Sequence, residues 1–317
     1  MPKLDIRHRL TPGSLRALEL SGQQYATFKA GTLSALEAMR AGYRHERRFW
    51  NSAVVELASV ENDLIDTPAG TVPVRLYRPD MGSPLPVLVY AHGGGYIVGD
   101  LDTHDRICRL LARRSGWAVL AIDYTLAPEK QFPVQPDQVL GVLHHVAAHG
   151  AQWGLDTKRI AIGGDSAGAH LSLGAALDVR AAGGPRLLGQ LLYYGAYGLR
   201  DSASRRMYGW ADLDGMGDED TAMYRDAYIP NPADRDHPRN NLLKADMAGL
   251  PPAFIVGVEF DPLRDDSLAL AAFMRERGVR HELKMVEGVL HAFLHYSMVE
   301  PLAMDAIEAG ADFLAGL

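Results

Sequence analysis

The chain has 317 residues, of which 47% are hydrophobic and 22% are charged, a composition that can build one large apolar core. Its formal net charge of −7 argues against nucleic acid as a partner and against docking on an anionic membrane surface. The N-terminus lacks the apolar stretch of a signal peptide, and no apolar run approaches the ~20 residues that cross a bilayer. We therefore expect a cytoplasmic protein without a membrane partner, in which the one cysteine, Cys108, is buried and unbridged.

In the first fifty residues, apolar positions recur at spacings of three to four, which predicts helices. Two strands are then expected at 54–57 and 72–77, joined by a turn at 68–70. From there, short apolar runs alternate with helical stretches. Strands are expected at 85–91, 117–124, 159–163, 188–193, 252–258 and 281–286, and helices at 103–114, 137–149 and 167–180.

This alternation predicts an α/β fold with a mostly parallel, doubly wound sheet flanked by helices. Residues 200–241 interrupt it, because they are polar, acidic and only weakly helical near 220–228. Long insertions in such folds usually lie over the carboxyl ends of the strands, where ligands bind. We expect one unit over 1–317, with a core of about 51–199 and 242–317. A cap would then come from about 1–50 and 200–241.

A G-x-S-x-G pattern, Gly164-Asp165-Ser166-Ala167-Gly168, stands between a predicted strand and a predicted helix. A sharp turn in that context lifts the serine hydroxyl above the sheet edge, and glycines fit its crowded backbone. The pattern makes Ser166 the candidate nucleophile, against the plainer interpretation of a glycine-rich turn.

A glycine-rich loop, His92-Gly93-Gly94-Gly95, follows the predicted strand 85–91. Successive glycines let the chain bend so that amide N–H groups point into a cavity. We expect the N–H groups of Gly93, Gly94 and Ala167 to stabilise the oxyanion of a tetrahedral intermediate. A phosphate cradle is the rival interpretation, but the sequence lacks the Gly-Lys-Ser/Thr or G-x-G-x-x-G spacing that it needs.

A serine nucleophile needs an imidazole to take its proton and a carboxylate to orient that imidazole. Asp261 is the preferred acid, because it lies just past a predicted strand, and Glu259 and Asp265 compete with it. Either competitor would otherwise fix its loop by accepting from backbone N–H groups.

The preferred base is His291, which follows the last predicted strand after a turn expected at Gly288. That position places it at the same sheet edge as Ser166. His295 lies one helical turn further on and competes for the role.

Two other groups of residues have the spacing of metal ligands. His145 and His149 are four residues apart but lack an H-E-x-x-H pattern, and with His144 they are expected on a helix surface. An acidic run suggests a calcium loop, but its register would place methionines at two ligand positions, so a solvated loop is expected. The run consists of Asp212, Asp214, Asp218 and Asp220. We expect neither a metal nor a cofactor.

The motifs His92-Gly93-Gly94-Gly95, Gly164-Asp165-Ser166-Ala167-Gly168, Asp261-Pro262-Leu263 and His291-Ala292-Phe293 together resemble those of the hormone-sensitive lipase family of esterases. The resemblance implies an α/β-hydrolase fold with an eight-stranded sheet and a helical cap. It also implies that Asp261 is the triad acid, and that Asp165 and Asp265 have structural roles.

For function, the resemblance implies a serine carboxylesterase that acts on short-chain acyl esters, acetyl to butanoyl, without a cofactor. Its partner would be a small-molecule ester, and the chain would be a monomer or a homodimer. Two alternatives stay open. One is an amidase or N-deacetylase with the same triad, since esters and amides share the tetrahedral intermediate. The other is a non-catalytic ligand receptor on this fold, against which the presence of His291 argues.

Overall fold

The computed structural model describes residues 3–82 and 84–317. Two helices come first, α1 at Pro12–Thr27 and α2 at Ala35–Trp50. Helix α2 begins with a capping box, in which Ser34 and Glu37 satisfy each other's backbone N–H groups. The helices expected in the first fifty residues are confirmed.

Strands and helices then follow one another along the described chain. In order they are β1 Ser59–Thr67, β2 Gly70–Arg78, β3 Leu85–Ala91, α3 Asp105–Ser115, β4 Ala118–Ile122, α4 Val134–His149, β5 Leu155–Asp165, α5 Ala167–Ala182, β6 Leu187–Tyr193, α6 Ala203–Met207, α7 Ala211–Asp214, α8 Asp218–Tyr228, β7 Ala253–Phe260, α9 Arg264–Glu276, β8 His281–Leu290 and α10 Pro301–Ala315.

The strands form one eight-stranded sheet in the order β1-β2-β4-β3-β5-β6-β7-β8. Strands β1, β2 and β4 pair antiparallel, and all pairs from β4 through β3 to β8 are parallel. The chain therefore has the α/β-hydrolase fold that the sequence predicts, a mostly parallel sheet flanked by helices.

The core lies on both faces of the sheet, as strand β3 illustrates. Val87 and Val89 pack into one apolar cluster with α4, α5 and α9, while Leu88 and Tyr90 pack into a second cluster with α3 and α10. Every residue of β3 is buried. This two-sided burial explains why the central strands read as continuous apolar runs in the sequence.

The strand expected at 54–57 is wrong. The edge strand is β1, which pairs along its whole length with β2 through a hairpin at 68–69. Glu61, Asn62 and Asp63 in its middle are polar and exposed, so this edge strand gives no apolar signal in the sequence. Val55 and Leu57 instead pack against the core as irregular chain.

The turn expected at Gly288 is also wrong, because β8 continues through this residue to Leu290. Gly288 has a φ of 73°, and the register between β7 and β8 shifts near it. A glycine at a strand irregularity produced the turn-like signal.

The segment 200–241 contains α6, α7 and α8 and lies against the start of the chain. The Leu4 N–H donates to the Met207 carbonyl at 3.0 Å, and the Trp210 indole donates to the Leu4 carbonyl at 2.6 Å. These contacts agree with a joint cap, although the division into cap and core stays a prediction. Among the helices of residues 3–82 and 84–317, none is both long and apolar enough to cross a membrane.

Four parallel strands end immediately before a residue of the predicted triad or before the glycine-rich loop. Strand β3 ends before His92, β5 before Ser166, β7 before Asp261 and β8 before His291. Because carboxyl ends of parallel strands meet at one edge, the topology alone brings these residues together.

Candidate active site

Ser166 occupies a tight turn between β5 and α5, with a φ of 52° and a ψ of −117°. A non-glycine residue in this region is strained, and such strain is maintained only where the surroundings demand it. The backbone of this turn is crowded by β3, since a Cβ at Gly164 or Gly168 would collide with the Ala91 carbonyl oxygen. The Ser166 N–H donates to the Tyr193 carbonyl at 2.8 Å, which fixes the turn to β6.

Ser166, His291 and Asp261 lie in one hydrogen-bonded line. His291 Nε2 is 2.9 Å from Ser166 Oγ, and His291 Nδ1 is 2.7 Å from Asp261 Oδ2. Because a carboxylate only accepts, Nδ1 carries the hydrogen, which leaves Nε2 to accept the serine O–H. The Leu263 N–H donates to the other Asp261 oxygen at 2.7 Å and holds the carboxylate in place.

Burial acts to lower the pKa of His291, but the charge of Asp261 and its hydrogen bond outweigh burial and raise the pKa above its ordinary value. Asp214 and Asp165 raise it further. The imidazole is therefore placed to take up a proton readily.

The glycine-rich loop lies beside the nucleophile, with Gly94 and Gly95 at φ of 118° and 58°. Gly94, Gly95 and Ala167 line the cavity that contains Ser166. Within the described part of the chain, no hydrogen bond uses the N–H of any of these three residues. All three donors are thus available to a ligand.

The structure argues against the oxyanion role expected for Gly93. Its N–H donates to Asp165 Oδ1 at 3.0 Å and is therefore engaged within the protein. A Cβ at this glycine would approach Asp165 Oδ2 to 2.5 Å, so its glycine identity serves contact with Asp165. Gly95 replaces Gly93 among the candidate oxyanion donors.

Ser166 and His291 line a cavity of about 1060 Å³. Its walls come from α1 and α2, the loop after β3, the segment 200–241 and the turn after β8. Aromatic rings form one side, where Tyr96 stacks on Tyr228 with ring centroids 3.8 Å apart, and Tyr224 covers Gly95. The cavity offers room for a substrate much larger than an acetyl group.

The competing residues have other contacts. His295 is buried with its ring 4.6 Å from that of His104, and burial and neighbouring cations hold its pKa well below its usual range. Glu259 accepts from Arg9 and from the Gly288 N–H, and Asp265 accepts from the Ser204 N–H. Both carboxylates fix loops, the alternative that the sequence left open for them.

Asp214 was expected in a solvated acidic loop, and this expectation is wrong. Its side chain lines the catalytic cavity, and its Oδ2 atom is buried without a hydrogen-bond partner. Burial raises its pKa from 3.8 to about 7. By contrast, Asp212 pairs with Arg7 and Asp218 with Lys3. Spacing alone could not distinguish these acids, because the difference arises from how α7 packs on the core.

Two further buried carboxylates organise the site. Asp165 Oδ1 accepts from the Tyr90 hydroxyl at 2.9 Å and from Gly93. Asp266 is fully buried and accepts three backbone N–H groups, those of residues 197–199. The family motif predicted a structural role for Asp165, whereas the sequence analysis did not identify Asp266, which lies in the first turn of α9.

One group of possible metal ligands occurs in residues 3–82 and 84–317, namely His104, Asp165 and His295. Their ligand atoms lie within 4.8 Å of one another. Asp165 Oδ1 already accepts two hydrogen bonds, so this group is satisfied in part by the protein itself. The rings of His145 and His149 lie 4.8 Å apart on α4, as their spacing predicts.

Residues 88–295 match a family described as having the alpha/beta hydrolase fold. The acetyl esterase of Salmonella choleraesuis (strain SC-B67) is 43% identical over 283 residues, which cover 88% of this chain and 86% of that protein. The chain belongs to the hormone-sensitive lipase-like family of α/β-hydrolases.

Solved structures agree with this family assignment. A hyperthermophilic esterase from the archaeon Pyrobaculum calidifontis superposes with a TM-score of 0.91 at 30% identity, covering 97% of this chain and 98% of that one. A thermostable esterase from Pseudomonas putida ECU1011 gives a TM-score of 0.87 at 28% identity, with 97% of both chains covered. Together with the site, these relatives make the chain a carboxylic ester hydrolase that acts on small-molecule esters.

Proposed function

We propose that the chain is a serine esterase for short-chain acyl esters, acetyl to butanoyl, with Ser166, His291 and Asp261 as its catalytic triad. The hydrogen-bonded line from Ser166 Oγ through His291 to Asp261 carries this proposal. The oxyanion donors would be the N–H groups of Gly94, Gly95 and Ala167. The acetyl esterase name of the Salmonella relative supports the short acyl chain.

The reaction proceeds in two acyl transfers. His291 Nε2 takes the proton of Ser166 as Oγ attacks the ester carbonyl, and the three N–H groups stabilise the oxyanion. The tetrahedral intermediate collapses as His291 protonates the leaving alcohol. Water, deprotonated by the same imidazole, then attacks the acyl-enzyme, and His291 returns that proton to Ser166 Oγ as the acid leaves.

Asp261 holds the imidazole in the tautomer that this sequence of steps needs and stabilises the imidazolium that forms. The complete line also argues against a non-catalytic receptor, which has no need of a buried base on its serine. A cytoplasmic location and a monomeric or homodimeric state stay predictions.

The test is the initial hydrolysis rate of nitrophenyl esters from acetyl to dodecanoyl, measured for the protein and for Ser166→Ala. We expect a rate that falls steeply beyond butanoyl, and a loss in kcat of roughly 10⁴-fold or more for Ser166→Ala. Full activity in a purified Ser166→Ala protein would contradict the triad. Serine-dependent hydrolysis of aryl amides, faster than that of the matching esters, would instead identify an amidase.

A further inference from the structure

A second buried histidine–carboxylate contact lies directly behind the nucleophile. His104 Nε2 is 3.5 Å from Asp165 Oδ1, and both side chains are 2% exposed. No hydrogen-bond partner meets Nε2 within the described residues. Since the carboxylate opposite it only accepts, this contact favours the tautomer of His104 that has its hydrogen on Nε2. The contact is electrostatic and is enclosed on all sides.

Asp165 connects the two halves of the candidate oxyanion site. Its backbone belongs to the serine turn, next to Ser166, while its Oδ1 binds the N–H of Gly93, which precedes Gly94 in the glycine-rich loop. This oxygen therefore links the loop that contains Gly94 and Gly95 directly to the turn that contains Ser166. Burial would by itself raise the pKa of Asp165, but His104 and the Tyr90 hydroxyl outweigh it and lower the pKa.

His104 is in turn held rigidly. With the hydrogen on Nε2, Nδ1 accepts from the Thr103 hydroxyl at 3.0 Å, and Thr103 Oγ1 itself accepts from the Asp100 N–H. The imidazole stands at the start of α3, where the His104 carbonyl accepts from the Cys108 N–H. Since the side chain is buried and its ring packs against those of His92 and His295, it is suited to fixing a neighbour and not to moving with a substrate.

We infer that His104 is a positioning residue for ester hydrolysis, which acts through Asp165 to hold the glycine-rich loop in register with Ser166. The inference rests on the proposed function. His104 touches neither substrate nor the reacting atoms, so its loss leaves the triad hydrogen bonds in place. The loss of His104 instead displaces the oxyanion donors, which act chiefly in the transition state.

The expected result for His104→Leu is a fall in kcat of about 10- to 100-fold, with KM changed by about twofold or less. His104→Gln retains an N–H donor near Asp165 and should recover part of the loss. The Ki of a trifluoromethyl ketone should rise in parallel with the loss in kcat/KM. This inhibitor forms a Ser166 Oγ–carbon bond, transfers the serine proton to His291 and places its oxyanion in the same site.

Two tyrosines provide a matched control. Tyr90 donates to Asp165 Oδ1 and Tyr77 donates to Asp105 Oδ1, both at 2.9 Å, and both are fully buried on nearby strands. Tyr90→Phe should lower kcat about 3- to 10-fold, while Tyr77→Phe should leave it within about twofold. In an Asp165→Asn background, the effect of His104→Leu should shrink to about twofold or less.

Rates are expressed per active site, titrated with a fluorophosphonate, so that misfolded enzyme does not count. If His104→Leu and His104→Gln keep kcat and Ki within twofold per active site, the inference is overturned. An undiminished loss in the Asp165→Asn background overturns it as well. Because Ser166→Ala is assayed separately, failure of the triad and failure of the positioning role give different results.

Discussion

Among the groups that raise the pKa of His291, Asp261 has the largest effect, and it touches Nδ1 at 2.7 Å. The base is active only when neutral, so kcat/KM should rise with pH as the imidazole loses its proton. Since Asp261 raises the pKa of His291, the midpoint of this rise lies above the ordinary histidine value of 6.5.

We expect Asp261→Asn to move the midpoint of the kcat/KM profile to lower pH, because burial then lowers the pKa of His291 against only the smaller effects of Asp214 and Asp165. It should also reduce kcat by about 10⁴-fold, since the amide favours the wrong tautomer. The measurement is the pH dependence of kcat/KM with nitrophenyl acetate. Glu259→Gln is the control, because this carboxylate binds Arg9 and Gly288 and should leave the midpoint unchanged. A midpoint unmoved in Asp261→Asn would exclude Asp261 as the partner of the base.

Two glycines of helix α5, which follows the serine turn, differ in what the structure requires of them. Gly168 and Gly174 both lie in α5, but a Cβ at Gly168 would collide with the Ala91 carbonyl, whereas one at Gly174 would meet Leu242 Cδ2 at 3.7 Å. The first glycine is required by the approach of β3, and the second is not.

Gly168→Ala should lower the free energy of unfolding by about 1–3 kcal/mol, because the added methyl overpacks the contact with β3, and it should also lower kcat. Gly174→Ala should raise the free energy of unfolding by up to about 1 kcal/mol, because alanine is the better helix former. Urea unfolding of both variants measures the difference. Equal effects of the two substitutions would contradict the close approach of α5 to β3.

The strands differ in how well the sequence pattern predicts them. Strands β3 to β7 were predictable because burial of their central residues on both faces makes them apolar runs, and the ends of β5 and β7 located Ser166 and Asp261. Strand β8 was predicted only as far as Val286, and it continues to Leu290 before His291. Strand β1 was not predictable, because an edge strand is defined by its pairing with β2 and not by its own side chains.

The hydrogen bond from Gly93 to Asp165 could not be predicted from the sequence either. It joins residues 72 positions apart, and the glycine motif does not say which of its amides are free. Motif patterns report residue types, while donor availability depends on the packed structure around them.

At the scale of the molecule, the catalytic cavity exists only because the chain's start and the segment 200–241 fold over the sheet edge together. Arg40 of α2 connects the helices to the core, donating to Glu129 at 2.6 and 2.7 Å and to the Ile97 carbonyl at 2.8 Å. The same closure places Asp214 of α7 in the cavity wall near His291. Closing the cavity therefore removes a carboxylate from water.

This burial makes the stability of the whole protein depend on pH. With a pKa of about 7 in the folded state against 3.8, Asp214 stays protonated in the folded chain while it ionises in the unfolded chain. The unfolded state thus binds fewer protons between about pH 4 and pH 7, so the contribution of Asp214 destabilises the fold progressively as pH rises through this window. Below about pH 4, Asp214 is protonated in both the folded and the unfolded chain, and its destabilising contribution vanishes.

Asp214→Asn should therefore stabilise the protein at pH 8 relative to pH 5, by a difference of about 2–4 kcal/mol in the free energy of unfolding. The amide also changes local hydrogen bonding, but this change is the same at both pH values. The difference between them therefore isolates the ionisation of Asp214. Asp212→Asn is the matched control on the same helix. Its carboxylate is exposed and paired with Arg7, so its effect should differ by under about 1 kcal/mol between the two pH values. If urea unfolding gives Asp214→Asn the same small pH dependence as Asp212→Asn, then Asp214 is solvated, and the close packing of α7 over the catalytic cavity is contradicted.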